Sequence, residues 1–141
     1  MTSRSVSLLI VLISAFFPLV YLIELGTPVF WAPFIEESLA RFIPLLIVYI
    51  IINSRHPDPL ILGIIAGVTF GILEIFTKIL TLGYFSILML VPFFAVHLAN
   101  GVVQSFGIYF SVRQKAYVLL PVIYIITVMW HWLYNAYLYV V

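Results

Sequence analysis

Residues 34–41 read FIEESLAR: two adjacent carboxylates, Glu36 and Glu37, followed by Arg41, with apolar sequence on both sides. How this octapeptide is read decides the fold. On the wet face of a soluble helix it would be ordinary, but it stands in a chain that is 65% hydrophobic and 8% charged, with a mean hydropathy of +1.27. That composition lies outside the range of soluble domains. The charges therefore sit inside a lipid-embedded helix, where an ionised group costs about 2.5–3.5 kcal/mol on insertion scales and needs a partner or a purpose.

Outward from this stretch, the chain is a succession of apolar runs. A hydrocarbon core takes about 20 residues of helix to cross, and five runs reach that length: 6–25, 31–52, 59–80, 88–111 and 117–140. The sequence thus predicts an all-α, polytopic membrane helix bundle of about five transmembrane helices, one transmembrane domain over 1–141, with short connections and no soluble domain. Any chemistry has to occur within the bilayer or at its edge. The first run follows Arg4 and resembles a signal peptide, but it lacks a small-x-small cleavage site and exceeds a typical apolar signal region, so it reads as a retained helix.

Basic residues set the orientation. Arg4, Arg55, Arg113 and Lys115 fall on one side of a five-span chain, and the opposite connections carry no basic residue, which predicts a cytoplasmic N-terminus and an external C-terminus. The six Lys and Arg are scattered among helix ends and leave no basic face for nucleic acid. The absence of cysteine excludes thiol catalysis, disulfides and cysteine-ligated metal.

The remaining polar residues concentrate in one layer. Besides Glu36, Glu37 and Arg41, the third span carries Glu74 and Lys78, the fourth His97, Asn100 and Gln104, and the fifth His131 and Asn135. At about 1.5 Å of rise per residue, Glu36 lies roughly 8 Å from the outer end of its span, Glu74 roughly 9 Å, and His97 and His131 roughly 14 Å. Helices of alternating direction need not place four such positions at one depth, and their coincidence points to a single shared site. Glu37 with Arg41 and Glu74 with Lys78 are four apart with the acid first, the favourable order for a pair on one helix. Gly63, Gly67 and Gly71 form a small-residue ridge that admits a close neighbour and turns Glu74 toward protein. Pro33 suits a first helical turn, where the dipole favours Glu36 and Glu37, and Pro44 predicts a kink just beyond Arg41.

Each of these residues also has a purely structural reading. Glu37–Arg41 and Glu74–Lys78 serve equally as intrahelical ion pairs that hold the bundle, with Lys78 alternatively reaching the outer interface. A single buried histidine is more often a hydrogen-bonded core residue than a catalyst. Asn100 and Gln104 fit interhelical hydrogen bonding, His56 and Asp58 fit a proline-rich turn, Trp31 and Tyr137 fit the interfacial aromatic belts, and Trp130 and Trp132 pack beside His131. Glu36 alone has no obvious partner.

Taken in order, "EESLAR" fits EExxxR, "FGILE" fits FxxxE, "VHLANG" supplies a mid-helix histidine, and "HWLYN" fits HxxxN. This set resembles the PrsW family of intramembrane proteases, within the superfamily of CAAX-processing and bacteriocin-protection proteins (CPBP). The resemblance spans residues 36–135. In the CAAX-protease branch the second motif ends in histidine, whereas Glu74 occupies that place here, as in the PrsW branch, which argues against prenylated substrates. The resemblance implies that Glu36 or Glu37 activates a water with Arg41 steadying the carboxylates, that His131 and Asn135 stabilise the oxyanion, and that Glu74 and His97 orient the water or move its proton. It further implies a membrane-anchored protein or peptide as substrate and the plasma membrane of a prokaryote as location. Hydrolysis of an amide by water requires a base in reach and donors aimed at the developing charge, and these residues supply both.

Three alternatives stay open at this stage. His97, His131 and Glu74 could form a zinc set drawn from three helices, with a glutamate as base, so the cofactor reading is none or zinc. A non-catalytic scaffold or substrate-binding subunit is the second, since the gamma-secretase scaffold subunit is a distant relative. A small proton-coupled transporter would also explain acids and histidines in a membrane, although five spans show no inverted repeat.

Overall fold

The computed structural model describes residues 3–26, 28–51, 58–82 and 87–138. Arg55, His56 and Pro57 lie outside the described residues, as does most of the connection predicted at 81–86. Among the described residues every regular element is helical: α1 (Ser3–Glu24), a 3-10 turn (Val29–Trp31), α2 (Ala32–Ile35), a π-helical segment (Glu36–Phe42), α3 (Ile43–Ile51), α4 (Pro59–Leu82), α5 (Ile87–Arg113) and α6 (Leu119–Leu138). α2, the π segment and α3 are continuous, so the chain builds five helical bodies. The all-α bundle expected from the apolar runs is the one observed.

α1, α4, α5 and α6 are each long and apolar enough to cross a membrane, and large apolar side chains such as Leu22, Ile72, Leu80, Val91 and Ile125 cover the outside of the bundle. The protein is a membrane protein. α5 is its central helix, with 50% of its apolar window covered by other helices against 17% for α1 and for α6.

The second helical body is the one whose winding departs from α. Pro33 occupies its first turn, as expected. The predicted kink at Pro44 takes the form of a π segment ahead of the proline, in which the Ile43 N–H bonds to the carbonyl of Ser38, five residues back. Pro44 has no N–H to offer and its ring crowds the carbonyl of residue 40; the widened turn accommodates both. π turns inside α-helices recur at functional sites, and here the segment turns Glu36, Glu37, Ala40 and Arg41 all into the protein. Ser38 Oγ, 2.6 Å from the Tyr124 hydroxyl, ties it to α6.

α4 and α5 touch backbone to backbone along the predicted glycine ridge. A Cβ at Gly63 would lie 2.6 Å from the Val102 Cα, and one at Gly67 would lie 2.5 Å from the His97 carbonyl oxygen; Gly101 of α5 packs equally close against Gly63. No larger residue fits at these crossings, and the approach brings His97 of α5 to Glu74 of α4. α1 closes the bundle through Leu9, Ile13 and Val20, which join Leu45, Val48 and Phe70 in the apolar core.

The ends are set by local chemistry. Asp58 caps α4, its Oδ1 accepting from the Leu60 N–H at 2.9 Å with Pro59 next in line. Lys115, at φ 56°, ends the helical path of α5 with a left-handed residue. Phe30 stacks edge-on against Trp31 and Trp132, forming an aromatic cluster where the second body begins and α6 ends.

Candidate active site

The π segment points two consecutive carboxylates inward, and their surroundings differ. Glu37 is fully buried. Its Oε1 accepts from Arg41 one turn on, from Asn100 Nδ2 at 2.8 Å and from His131 Nδ1 at 2.7 Å, and its Oε2 accepts from Gln104 Nε2 at 2.7 Å. A carboxylate has about four lone-pair sites, so Glu37 is saturated. Asn100 and Gln104 are themselves anchored on Thr127 of α6, through its carbonyl at 3.1 Å and its hydroxyl at 2.8 Å. Arg41 completes the network by donating to the His97 carbonyl at 3.3 Å and covering the Phe70 ring at 4.7 Å. The predicted Glu37–Arg41 pair is thus the hub of an interhelical network that fixes the π segment against α5 and α6.

His131 links this hub to Glu36. A carboxylate only accepts, so the 2.7 Å contact with Glu37 takes the hydrogen on Nδ1; Arg41 Nη2, 3.3 Å from the same nitrogen, packs beside that bond without replacing it. The opposite nitrogen, Nε2, faces Glu36 Oε2 at 3.2 Å. The order Glu37, His131, Glu36 repeats the logic by which a buried carboxylate fixes the tautomer and orientation of an imidazole whose other nitrogen faces the reacting group.

A second acid–imidazole pair stands beside the first. Glu74 Oε2 lies 3.0 Å from His97 Nε2, and the other carboxylate oxygen pairs with Lys78 one turn on. Lys78 also sits over the Phe93 ring at 5.0 Å, so it is held in the site as well as close to the surface. The rings of His97 and His131 meet edge to face at 5.2 Å between centroids. Glu36, Glu74, His97 and His131, read from four separate runs, are therefore in mutual contact as the common depth predicted.

A cavity of about 150 Å³ opens on Glu36 and Glu74, lined also by Glu24, Lys78, Thr77 and Tyr21 among others. Glu37 is not in its wall. Glu36 Oε2 and Glu74 Oε2 face their histidines but stand outside hydrogen-bond alignment and have no other protein partner among the described residues, and the same holds for Glu24 Oε1. The carboxylates, amine and hydroxyls of the cavity share its wall with Phe17, Val20 and Phe70, and the cavity is large enough for water. Adjoining it between α1 and α4 is an apolar groove of about 350 Å³ that shares Phe17, Tyr21 and Thr77 with the cavity wall. Pro18 of α1, which also lines this groove, leaves the carbonyl of Ser14 without its helical donor at the groove's side.

Of the residues expected from the sequence, Glu36, Glu37, Arg41, Glu74, His97 and His131 assemble into one site. Asn135 lies half-buried one turn beyond His131 and makes no side-chain hydrogen bond among the described residues. The zinc set of Glu74, His97 and His131 is not assembled: His131 is committed to Glu37 and Glu36 at its two nitrogens, and among the described residues no three His, Asp or Glu donors converge on a point. Glu24 and Thr127 join the site without having been singled out. Compared with known proteins, the chain matches no family model, no curated protein and no solved structure.

Proposed function

We propose that the protein is an intramembrane endopeptidase of the PrsW type that hydrolyses peptide bonds of membrane-anchored substrates with a glutamate-activated water. The observation that carries this reading is the division of labour in the EE pair: Glu37 is saturated and holds His131, while Glu36 lines the cavity and its Oε2, turned to His131, makes no aligned hydrogen bond. Glu36 is then the base, answering which of the two carboxylates meets the water. It takes a proton from water as the oxygen attacks the carbonyl carbon. In this reading His131, held by Glu37 and protonated on both nitrogens, and Asn135 one turn on stabilise the oxyanion, and the Glu74–His97 pair orients the water. Arg41 acts through Glu37 by keeping that carboxylate charged and in place.

The apolar groove between α1 and α4 supports a membrane-borne substrate, because a chain lying against it runs into the cavity of Glu36 and Glu74 through the shared wall of Phe17, Tyr21 and Thr77. The proposed setting is the plasma membrane of a prokaryote, with the site toward the external face.

The test is cleavage of single-span substrates and fluorogenic peptides by purified protein, comparing wild type with Glu36→Gln and His131→Ala, with and without chelator. Cleavage that survives chelator and is lost in folded variants is the expected result. Wild-type inactivity across a broad panel returns the weight to a scaffold role, and chelator sensitivity reversed by zinc returns it to a metalloprotease.

A further inference from the structure

Glu24 is an acid that the mechanism above leaves idle. It ends α1, a helix with no other carboxylate, and lines the cavity together with Glu36 and Glu74. Its Oε1 is buried without a protein partner among the described residues, and it shares the cavity wall with Glu36. Neighbouring carboxyl groups that share one small cavity repel as two anions, which favours one of them holding a proton. The cavity therefore has two carboxyl groups in its wall besides the paired Glu74.

Amide hydrolysis needs such a second group. A base that removes a proton from water completes only half of the reaction, because the leaving nitrogen must be protonated before its bond to carbon breaks. Of the other charged groups in the cavity wall, Lys78 is paired with Glu74 and Glu74 with His97. Resting on the protease reading, we propose that Glu24 is the general acid of the site, a further catalytic residue that delivers the proton to the leaving amine.

The steps balance. One O–H bond of water breaks, its proton goes to Glu36, and the oxygen bonds to the carbonyl carbon as the C=O pair moves onto oxygen. The carbonyl then reforms, the C–N bond breaks, and the nitrogen takes the proton of Glu24. Glu24 is left as carboxylate and Glu36 as acid, and return of the proton from Glu36 to Glu24 through the water of the shared cavity restores the starting state.

The experiment compares one acyl sequence presented as a peptide amide and as its 4-nitrophenyl ester, whose leaving group departs without a proton. Glu24→Gln is expected to cleave the amide about 100-fold or more slowly in kcat, with KM unchanged and the ester cleaved near the wild-type rate; Glu24→Asp, which keeps a carboxyl, recovers part of the amide rate. Glu36→Gln loses both substrates. Wild-type amide cleavage by Glu24→Gln overturns the proposal alone, and so does an equal loss on amide and ester, which is the mark of a structural role. Wild-type protein that cleaves neither substrate overturns the protease reading and the assignment of Glu24 with it.

Discussion

Glu37 accepts from four donors contributed by three helices, and removing its charge leaves Arg41 buried against an apolar ring with no counter-ion. Breaking a buried pair from one side costs about 3–5 kcal/mol. Glu37→Gln is therefore expected to lower the thermal midpoint sharply and to abolish turnover as a consequence, whereas Glu36→Gln leaves the midpoint close to wild type and abolishes turnover alone. Thermal unfolding in detergent beside an activity assay separates the two, and equal midpoints for both variants would contradict the division of roles. That division was not legible in the sequence, where the residues are neighbours with the same chemistry. It depends on which of two adjacent directions meets Asn100 and Gln104, and on tertiary contacts that no spacing encodes. The presence of partners was legible, because a charge in lipid without one is too costly to persist. Glu24 escaped for the opposite reason: at the end of an apolar run, a carboxylate reads as a group returning to water.

At the scale of helices, the glycine ridge was readable and its consequence is specific. The Cβ added at Gly67 would meet backbone atoms of His97 and Leu98 at 2.5–2.9 Å, and backbone cannot step aside. At Gly71 the nearest atoms, at 3.1 and 3.3 Å, belong to the Phe94 ring, which can turn. Gly67→Ala is thus expected to cost about 1–3 kcal/mol by overpacking and, by pushing α5 away, to separate His97 from Glu74 and slow turnover. Gly71→Ala is expected to be milder on both counts. Comparable losses from the two variants would show that the α4–α5 contact does not set the site. The π segment was only half readable. Pro44 announced a departure from α winding, but a kink and a widened turn both relieve a proline, and the choice between them follows from packing: only the widened turn brings Glu36, Glu37 and Arg41 inward together.

At the scale of the molecule, the acting groups share one end of the bundle. Glu24 ends α1, Glu36 lies near the start of the second body, Glu74 and Lys78 lie in the last third of α4, and His131 lies in the second half of α6. The other end carries Arg4 at the start of α1, and Arg113 and Lys115 at the end of α5. Basic residues are retained on the cytoplasmic side, so the proposed site is expected to face the exterior. A cysteine-free chain allows a clean measurement of this. Leu25→Cys, on the exposed turn after α1, is expected to react with a membrane-impermeant maleimide in intact cells, while Gln114→Cys, exposed at the opposite end, reacts only after permeabilisation. The reverse pattern would place Glu24 and Glu36 at the cytoplasmic face. The cut would then release the substrate's cytoplasmic part directly, instead of shedding or trimming its external part, so the same two labels also decide on which side the products appear.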